Sequence, residues 1–321
     1  MSATPATIVE HDLTPKAVAE SMGAVLSAAE RVILGKNHQL RLALACLMAG
    51  GHLLIEDQPG MGKTTLAHLL ARVLGLEFQR LQFTSDLLPA DIIGASIYER
   101  ESGKFRFHPG PVFTQLLLAD EVNRATPKCQ SALLEAMEER QVTVEGVSHA
   151  LPSPFFVIAT QNPLHQIGTF PLPESQLDRF LMRLTMGYPD RKAERELLAG
   201  RDRRELLTQI KPLLTSAQLL AIQTQVTKVH VAEALLDYVQ ALLAFSRQAP
   251  EFMVGLSPRA GLALLRAAQA WALLHGRHHV LPEDVLTILP AVAGHRLQGT
   301  HELSGQSPEA LADKLAMVPI P

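Results

Sequence analysis

Over the first 187 residues, short apolar runs bounded by glycine or acidic residues alternate with helical stripes; beyond that point only helical stripes continue. A helix is predicted from Thr14-Pro15 towards Val32, with Val18, Met22, Val25 and Leu26 on one stripe and Pro15 in the first turn. Leu34-Gly35-Lys36 breaks it, and a second apolar helix follows over 38–48, ended by Gly50-Gly51. Five runs read as strands, at 52–56, 77–83, 116–121, 155–159 and 181–186. Two further pairs read as β-hairpins: 97–100 with 105–108 around Ser102-Gly103, and 141–144 with 147–151 around Glu145-Gly146. Thr126-Pro127 opens a helix with Leu133, Leu134 and Met137 on its apolar face. Gly187-Tyr188-Pro189-Asp190 marks a domain boundary, after which helices are predicted over 190–207, 216–228, 231–248, 258–275 and 282–296. Residues 1–13 read as a disordered tail, 14–187 as an α/β domain, 188–300 as a helical domain, and 301–321 as a C-terminal tail with room for a short helix at Ser307-Pro308-Glu309.

The chemistry gathers where apolar runs end. The run at 52–56 leads into Asp57-Gln58-Pro59-Gly60-Met61-Gly62-Lys63-Thr64-Thr65 and then a helical stripe of Leu66, Leu69, Leu70 and Val73. Strand, glycine loop, Lys-Thr and helix make a phosphate-binding P-loop. Glycines let backbone N–H groups converge on phosphate oxygens, the helix start adds partial positive charge, and Lys63 adds a full one. Thr64 offers a hydroxyl to Mg²⁺. The first glycine of the strict pattern is Asp57 here; Asp tolerates positive φ better than most residues, so the loop is expected to keep its shape. Asp120-Glu121 closes the third run, 57 residues past Lys63. In an open parallel sheet that end faces the ligand crevice. Asp120 is placed to hold Mg²⁺ through water and Glu121 to orient or deprotonate an attacking water. Asn162, after the fourth run, is either a γ-phosphate or water ligand or a turn former before Pro163, and two matching strand ends favour the first.

Composition narrows the class. The chain has 321 residues, 47% hydrophobic, 19% charged and 5% aromatic, with a formal net charge of −3. That balance argues against nucleic-acid binding, and no apolar run approaches the roughly 18 residues of a membrane span. The first residues lack a signal peptide's basic and apolar regions. Cys46 and Cys129 read as reduced thiols in a cytoplasmic protein. His275, His278 and His279 sit at a helix end, where capping or solvation outweighs metal binding.

Together these features resemble an AAA+ ATPase, and several segments are more specific. Residues 56–65, Ala119-Asp120-Glu121-Val122-Asn123-Arg124-Ala125-Thr126-Pro127-Lys128, Leu133-Leu134-Glu135-Ala136-Met137-Glu138-Glu139, Ala159-Thr160-Gln161-Asn162-Pro163 and Leu177-Asp178-Arg179-Phe180 closely resemble the MoxR family. The resemblance implies a five-stranded parallel P-loop sheet flanked by helices, with β-hairpin insertions and a smaller all-helical lid. It implies ATP and Mg²⁺ as ligands, with Gly35, Pro59, Gly60, Met61, Gly62, Lys63, Thr64 and Thr65 at the nucleotide and Thr64 and Asp120 at the metal. Asn162 matches sensor 1. Arg179 matches the arginine finger, with Arg183 competing and Arg124 more distant. Arg259, in the first turn of a helix capped by Ser257, matches sensor 2. The resemblance also implies a hexameric homo-oligomer, a chaperone-like task on an unidentified client, and a partner carrying a von Willebrand factor A domain. Competing readings are a nucleotide-controlled binding module, a magnesium-chelatase-like motor subunit and, against the charge balance, a nucleic-acid motor.

Overall fold

The computed structural model describes residues 13–162, 168–200, 203–300 and 307–320. The tail expected over 1–13 lies outside these residues apart from Leu13, as does Pro163. Helix α1 (Pro15–Glu30) starts on Thr14, whose side chain accepts the Ala17 N–H, and α2 (Asn37–Met48) follows. Strand β1 (His52–Glu56) leads through the P-loop into α3 (Lys63–Val73), and β2 (Phe78–Gln82) follows. A short α4 (Pro89–Ile93) precedes the hairpin β3 (Gly94–Glu99) and β4 (Lys104–Pro109). Next come β5 (Leu116–Asp120), α5 (Pro127–Glu139), the hairpin β6 (Gln141–Val144) and β7 (Val147–Ala150), and β8 (Phe156–Gln161). A single turn α6 (Glu174–Leu177) leads into β9 (Phe180–Leu184).

The strands β2-β5-β8-β1-β9 form one sheet in that order, every pair parallel. Alternation along each strand divides the core into two. Leu53, Ile55, Leu116, Leu118, Phe156, Ile158, Met182 and Leu184 face one way, onto α1, α2, α3 and the helices of the C-terminal part. Leu54, Leu117, Ala119, Val157, Ala159 and Phe180 face the other way, onto α5. Burial on both faces is why β1, β5 and β8 read as near-unbroken apolar runs, whereas the edge strands β2 and β9 are interrupted by Gln79, Arg80 and Arg183. Parallel order also brings every strand's carboxyl end to one edge of the sheet and every amino end to the other.

Beyond Gly187 the chain forms α7 (Arg191–Ala199), α8 (Arg203–Gln209), α9 (Ser216–Val226), α10 (Glu233–Gln248), β10 (Phe252–Val254), α11 (Pro258–Leu274), α12 (Pro282–Ala293), β11 (Gln298–Gly299) and α13 (Pro308–Leu315). Two features differ from the predicted pattern. The helix expected over 190–207 is two: α7 stops at Gly200, where a Cβ would lie 2.6 Å from the Glu196 carbonyl. The helical region also carries a small antiparallel ribbon, β10 with β11, so the lid is not wholly helical. Strands of three and two residues leave no period to read. Helix α11 packs against α12, α2 and α1, and its Trp271 is buried among them. Leu311 and Leu315 of α13 are buried in the same core.

Candidate active site

The P-loop bends where its glycines allow. Gly60 has φ 85° and Gly62 φ 82°, both in the left-handed region, and a Cβ at either would meet nothing within 4 Å. The loop therefore presents open backbone ahead of α3, with Lys63 as the first helical residue. Asp57 behaves otherwise than expected. It is not among the positive-φ residues; instead its carboxylate accepts the N–H of Gln58 at 2.8 Å and of Gly187 at 2.6 Å. A side chain that ties the loop to the boundary at 187 takes the place of a flexible glycine.

Lys63 is buried; its Nζ donates to the Asp57 carbonyl at 2.5 Å and to Asn162 Oδ1 at 3.4 Å. Burial pushes its ammonium below the usual lysine range, and the carboxylates of Asp57, Asp120, Glu121 and Glu56 oppose that push. Asp120 accepts the Thr160 hydroxyl at 2.6 Å and the Arg80 guanidinium at 2.7 Å. Glu121 adopts φ 57°, a left-handed conformation that costs a non-glycine residue about 1–2 kcal/mol. Its carboxylate accepts from Asn162 Nδ2 at 3.1 Å, from Gln82 Nε2 at 3.0 Å and from Arg124 Nε at 2.9 Å. Asn123 holds Asn162 in place by donating to its carbonyl at 3.0 Å. Lys63, Asp120, Glu121 and Asn162 thus converge at the carboxyl edge of β1, β5 and β8.

A cleft of about 430 Å³ adjoins the P-loop, lined by Gly60, Met61, Gly62 and Thr65 and by apolar Ile33 and Leu198. A polar floor beside apolar walls suits a phosphorylated ligand with a flat base. Gly35 and Pro59 do not line it; the neighbours Leu34 and Lys36 do. Open αL glycines, a buried lysine, and an Asp120 carboxylate close by fit a nucleoside triphosphate with Mg²⁺, which Thr64 and Asp120 would hold. Among the described residues no group of three His, Cys, Asp or Glu is arranged to hold a metal by itself.

Arg179 and Arg259 lie elsewhere. Arg179 Nε pairs with Glu138 Oε2 at 2.9 Å, and Arg259 Nη2 pairs with Glu138 Oε1 at 2.6 Å. Both line a second cleft, of about 340 Å³, together with Gly50, Gly51 and Arg140. Gly50 and Gly51 precede β1 and Arg179 precedes β9, so this cleft opens at the amino edge. A five-residue strand, about 16 Å long at 3.3 Å per residue, separates the edges. The structure does not bring Arg179 or Arg259 to the P-loop of their own chain. Arg183 is 9% exposed and held between Glu56 and Glu309, each at 2.8 Å, and Arg124 is engaged with Glu121.

The family model described as "ATPase family associated with various cellular activities (AAA)" matches residues 52–182, and the AAA lid domain model matches 244–315. The protein named Chaperone MoxR1 of Mycobacterium tuberculosis is 40% identical over 98% of this chain and 84% of its own. The chain belongs to the MoxR family of AAA+ ATPases. Protein MoxR of Paracoccus denitrificans is 34% identical over 84% of this chain and 86% of its own. A crystal structure of a Cytophaga hutchinsonii protein assigned as an ATPase superposes with TM-score 0.86 at 35% identity, covering 95% of this chain and 96% of that one. Four residues of this MoxR-family site receive no role from runs and motifs, although Thr160 and Glu138 lie inside family-like segments: Arg80, Gln82, Thr160 and Glu138. Gln82 and Thr160 do stand at strand ends, the one cue available. Glu138 becomes significant only once the fold brings the end of α5 to Arg179 and Arg259.

Proposed function

We propose that the chain hydrolyses ATP at interfaces between copies of itself in a ring and uses the cycle to remodel or mature a client protein complex. One observation carries this: Lys63, Asp120, Glu121 and Asn162 meet at one edge of the sheet, while Arg179 and Arg259 meet at the other. Neither half is a complete hydrolytic site, and a neighbour turned head to tail supplies the missing one. The backbone of Gly60, Met61 and Gly62, with Lys63, binds the phosphates; Thr64 and Asp120 hold Mg²⁺, which neutralises phosphate charge. Glu121 takes the proton of the attacking water and Asn162 orients it. Arg179 and Arg259 of the adjacent copy stabilise charge on the transferred phosphoryl group. The α/β domain over 14–187 and the lid over 188–300 would shift as the phosphates leave, carrying the two hairpins.

The names of the relatives support a chaperone-like role, and a hexamer, a cytoplasmic setting and a partner with a von Willebrand factor A domain complete the reading. Among the described residues no helix is long and apolar enough to cross a membrane. The Arg124–Glu121 pair favours one second reading, in which nucleotide binding sets the shape and slow hydrolysis resets it. Steady-state turnover against protein concentration tests the proposal. Turnover per subunit should rise with concentration, and Arg179→Ala should lower it about 10³-fold or more while ATP still binds. Wild-type turnover in that variant would overturn the assignment; wild-type client maturation by Glu121→Gln would favour the second reading.

A further inference from the structure

Arg296 follows α12 at the back of the second cleft, beside Asp178, Arg179 and Arg259, and its side chain is only 4% exposed. Each of its five N–H groups has a protein acceptor. Nε donates to Asp178 Oδ1 at 2.6 Å. Nη2 donates to the carbonyls of Asp178 at 3.1 Å and Phe180 at 2.7 Å. Nη1 donates to the carbonyl of Leu181 at 3.2 Å and to that of Val292. The carbonyls of Asp178, Phe180 and Leu181 flank Arg179 on both sides. The other oxygen of the Asp178 carboxylate accepts the Ser257 hydroxyl at 3.3 Å, and Ser257 caps α11 two residues before Arg259. One guanidinium therefore fixes the backbone around Arg179 and, through Asp178, the helix start that carries Arg259. The two head groups then converge on a single carboxylate, Glu138.

We propose that Arg296 is a positioning residue, holding Arg179 and Arg259 as one unit aimed at the phosphates of an adjacent copy. The proposal rests on the reading of a shared interface given above. Arginine is required because a planar fork of five donors reaches all of these acceptors at once; lysine offers three donors on a flexible stem. The arrangement also ties the two arginines to the lid helices α11 and α12, so a change in lid angle moves them together.

The test uses the full-length protein. In Arg296→Lys, kcat should fall at least about tenfold with KM for ATP within about twofold, because its own nucleotide site is untouched. Mixing it with Glu121→Gln should restore turnover, since that variant brings well-placed arginines to the intact base of Arg296→Lys. Asp178→Asn should behave likewise. Wild-type kcat in Arg296→Lys overturns the proposal. So does failure of the mixture to recover while a parallel mixture of Arg179→Ala with Glu121→Gln does recover, for then Arg296 supports its own chain's fold or site. If neither mixture recovers, the shared-interface reading falls and this proposal falls with it.

Discussion

At the scale of single residues, His52, buried at the amino edge of β1, shows how one side chain makes stability depend on pH. Its Nδ1 accepts the Val157 N–H at 3.0 Å and its Nε2 donates to the Met137 carbonyl at 3.2 Å, so the ring is neutral and fully used. A proton on Nδ1 would face another N–H. Burial, with a smaller contribution from Arg140, lowers its pKa from 6.5 to about 4. The unfolded chain therefore takes up this proton first as pH falls. The contribution is full above about pH 6.5, is lost progressively towards pH 4, and totals about 3 kcal/mol at about 1.4 kcal/mol per pH unit. His295, half-buried and depressed in the same direction by desolvation and the neighbouring Arg296, adds to the slope. The thermal midpoint should drop between pH 7 and pH 5, and His52→Gln should flatten that drop; equal slopes would refute the account. Residues of the P-loop were legible because Gly60, Gly62 and Lys63 act through local backbone geometry. Glu138 was not, because its meaning comes from two arginines 41 and 121 residues away.

Elements were legible where the pattern is long or the turn chemistry local. The hairpin β3–β4 was readable from Ser102-Gly103, and its register runs without a break from Gly94 opposite Pro109 to Glu99 opposite Lys104. Its neck was not readable. Gly94 has φ 93°, and a Cβ there would lie 2.2 Å from the His108 carbonyl and 2.6 Å from Gly110 N. The close approach of two backbones, not the turn, anchors this hairpin. From the neck, Phe107 stacks on His149 of β7, centroids 4.0 Å apart and planes 13° from parallel, so the two hairpins are joined. Gly94→Ala must open the neck and loosen that stack. Trypsin should then cut at Arg100 and Lys104 faster than in the parent, while nucleotide affinity stays within about twofold, since no P-loop contact changes. Unchanged cleavage would show that the neck tolerates a side chain. The split of α7 from α8 and the ribbon β10–β11 escaped for the opposite reason: they are too short to carry a period.

At the scale of the whole molecule, the five strands followed from the runs and their parallel sheet from the family resemblance, but the strand order and the way the last helix closes the structure did not. Ser307-Pro308-Glu309 signalled a helix start, and the Ser307 side chain does accept the Ala310 N–H. Nothing local says where such a helix docks. In the fold Leu315 is fully buried and Leu311 nearly so. Glu309 meets Arg183, whose other partner is Glu56 at the end of β1, next to the P-loop. Two contributions can be separated. Burial of the two leucines is worth about 1.5–3 kcal/mol each, whereas Glu309 is half-exposed and its ion pair is worth about 1 kcal/mol or less. Ending the chain at residue 306 should therefore lower the urea midpoint markedly, and Glu309→Gln should barely move it. The truncated chain also exposes the apolar seat of α13 on α10 and α12, so it should bind a hydrophobic dye that the parent excludes. If truncation and Glu309→Gln gave the same small shift, the leucines would contribute nothing. The ion pair beside β1 would then be the helix's whole connection to the core.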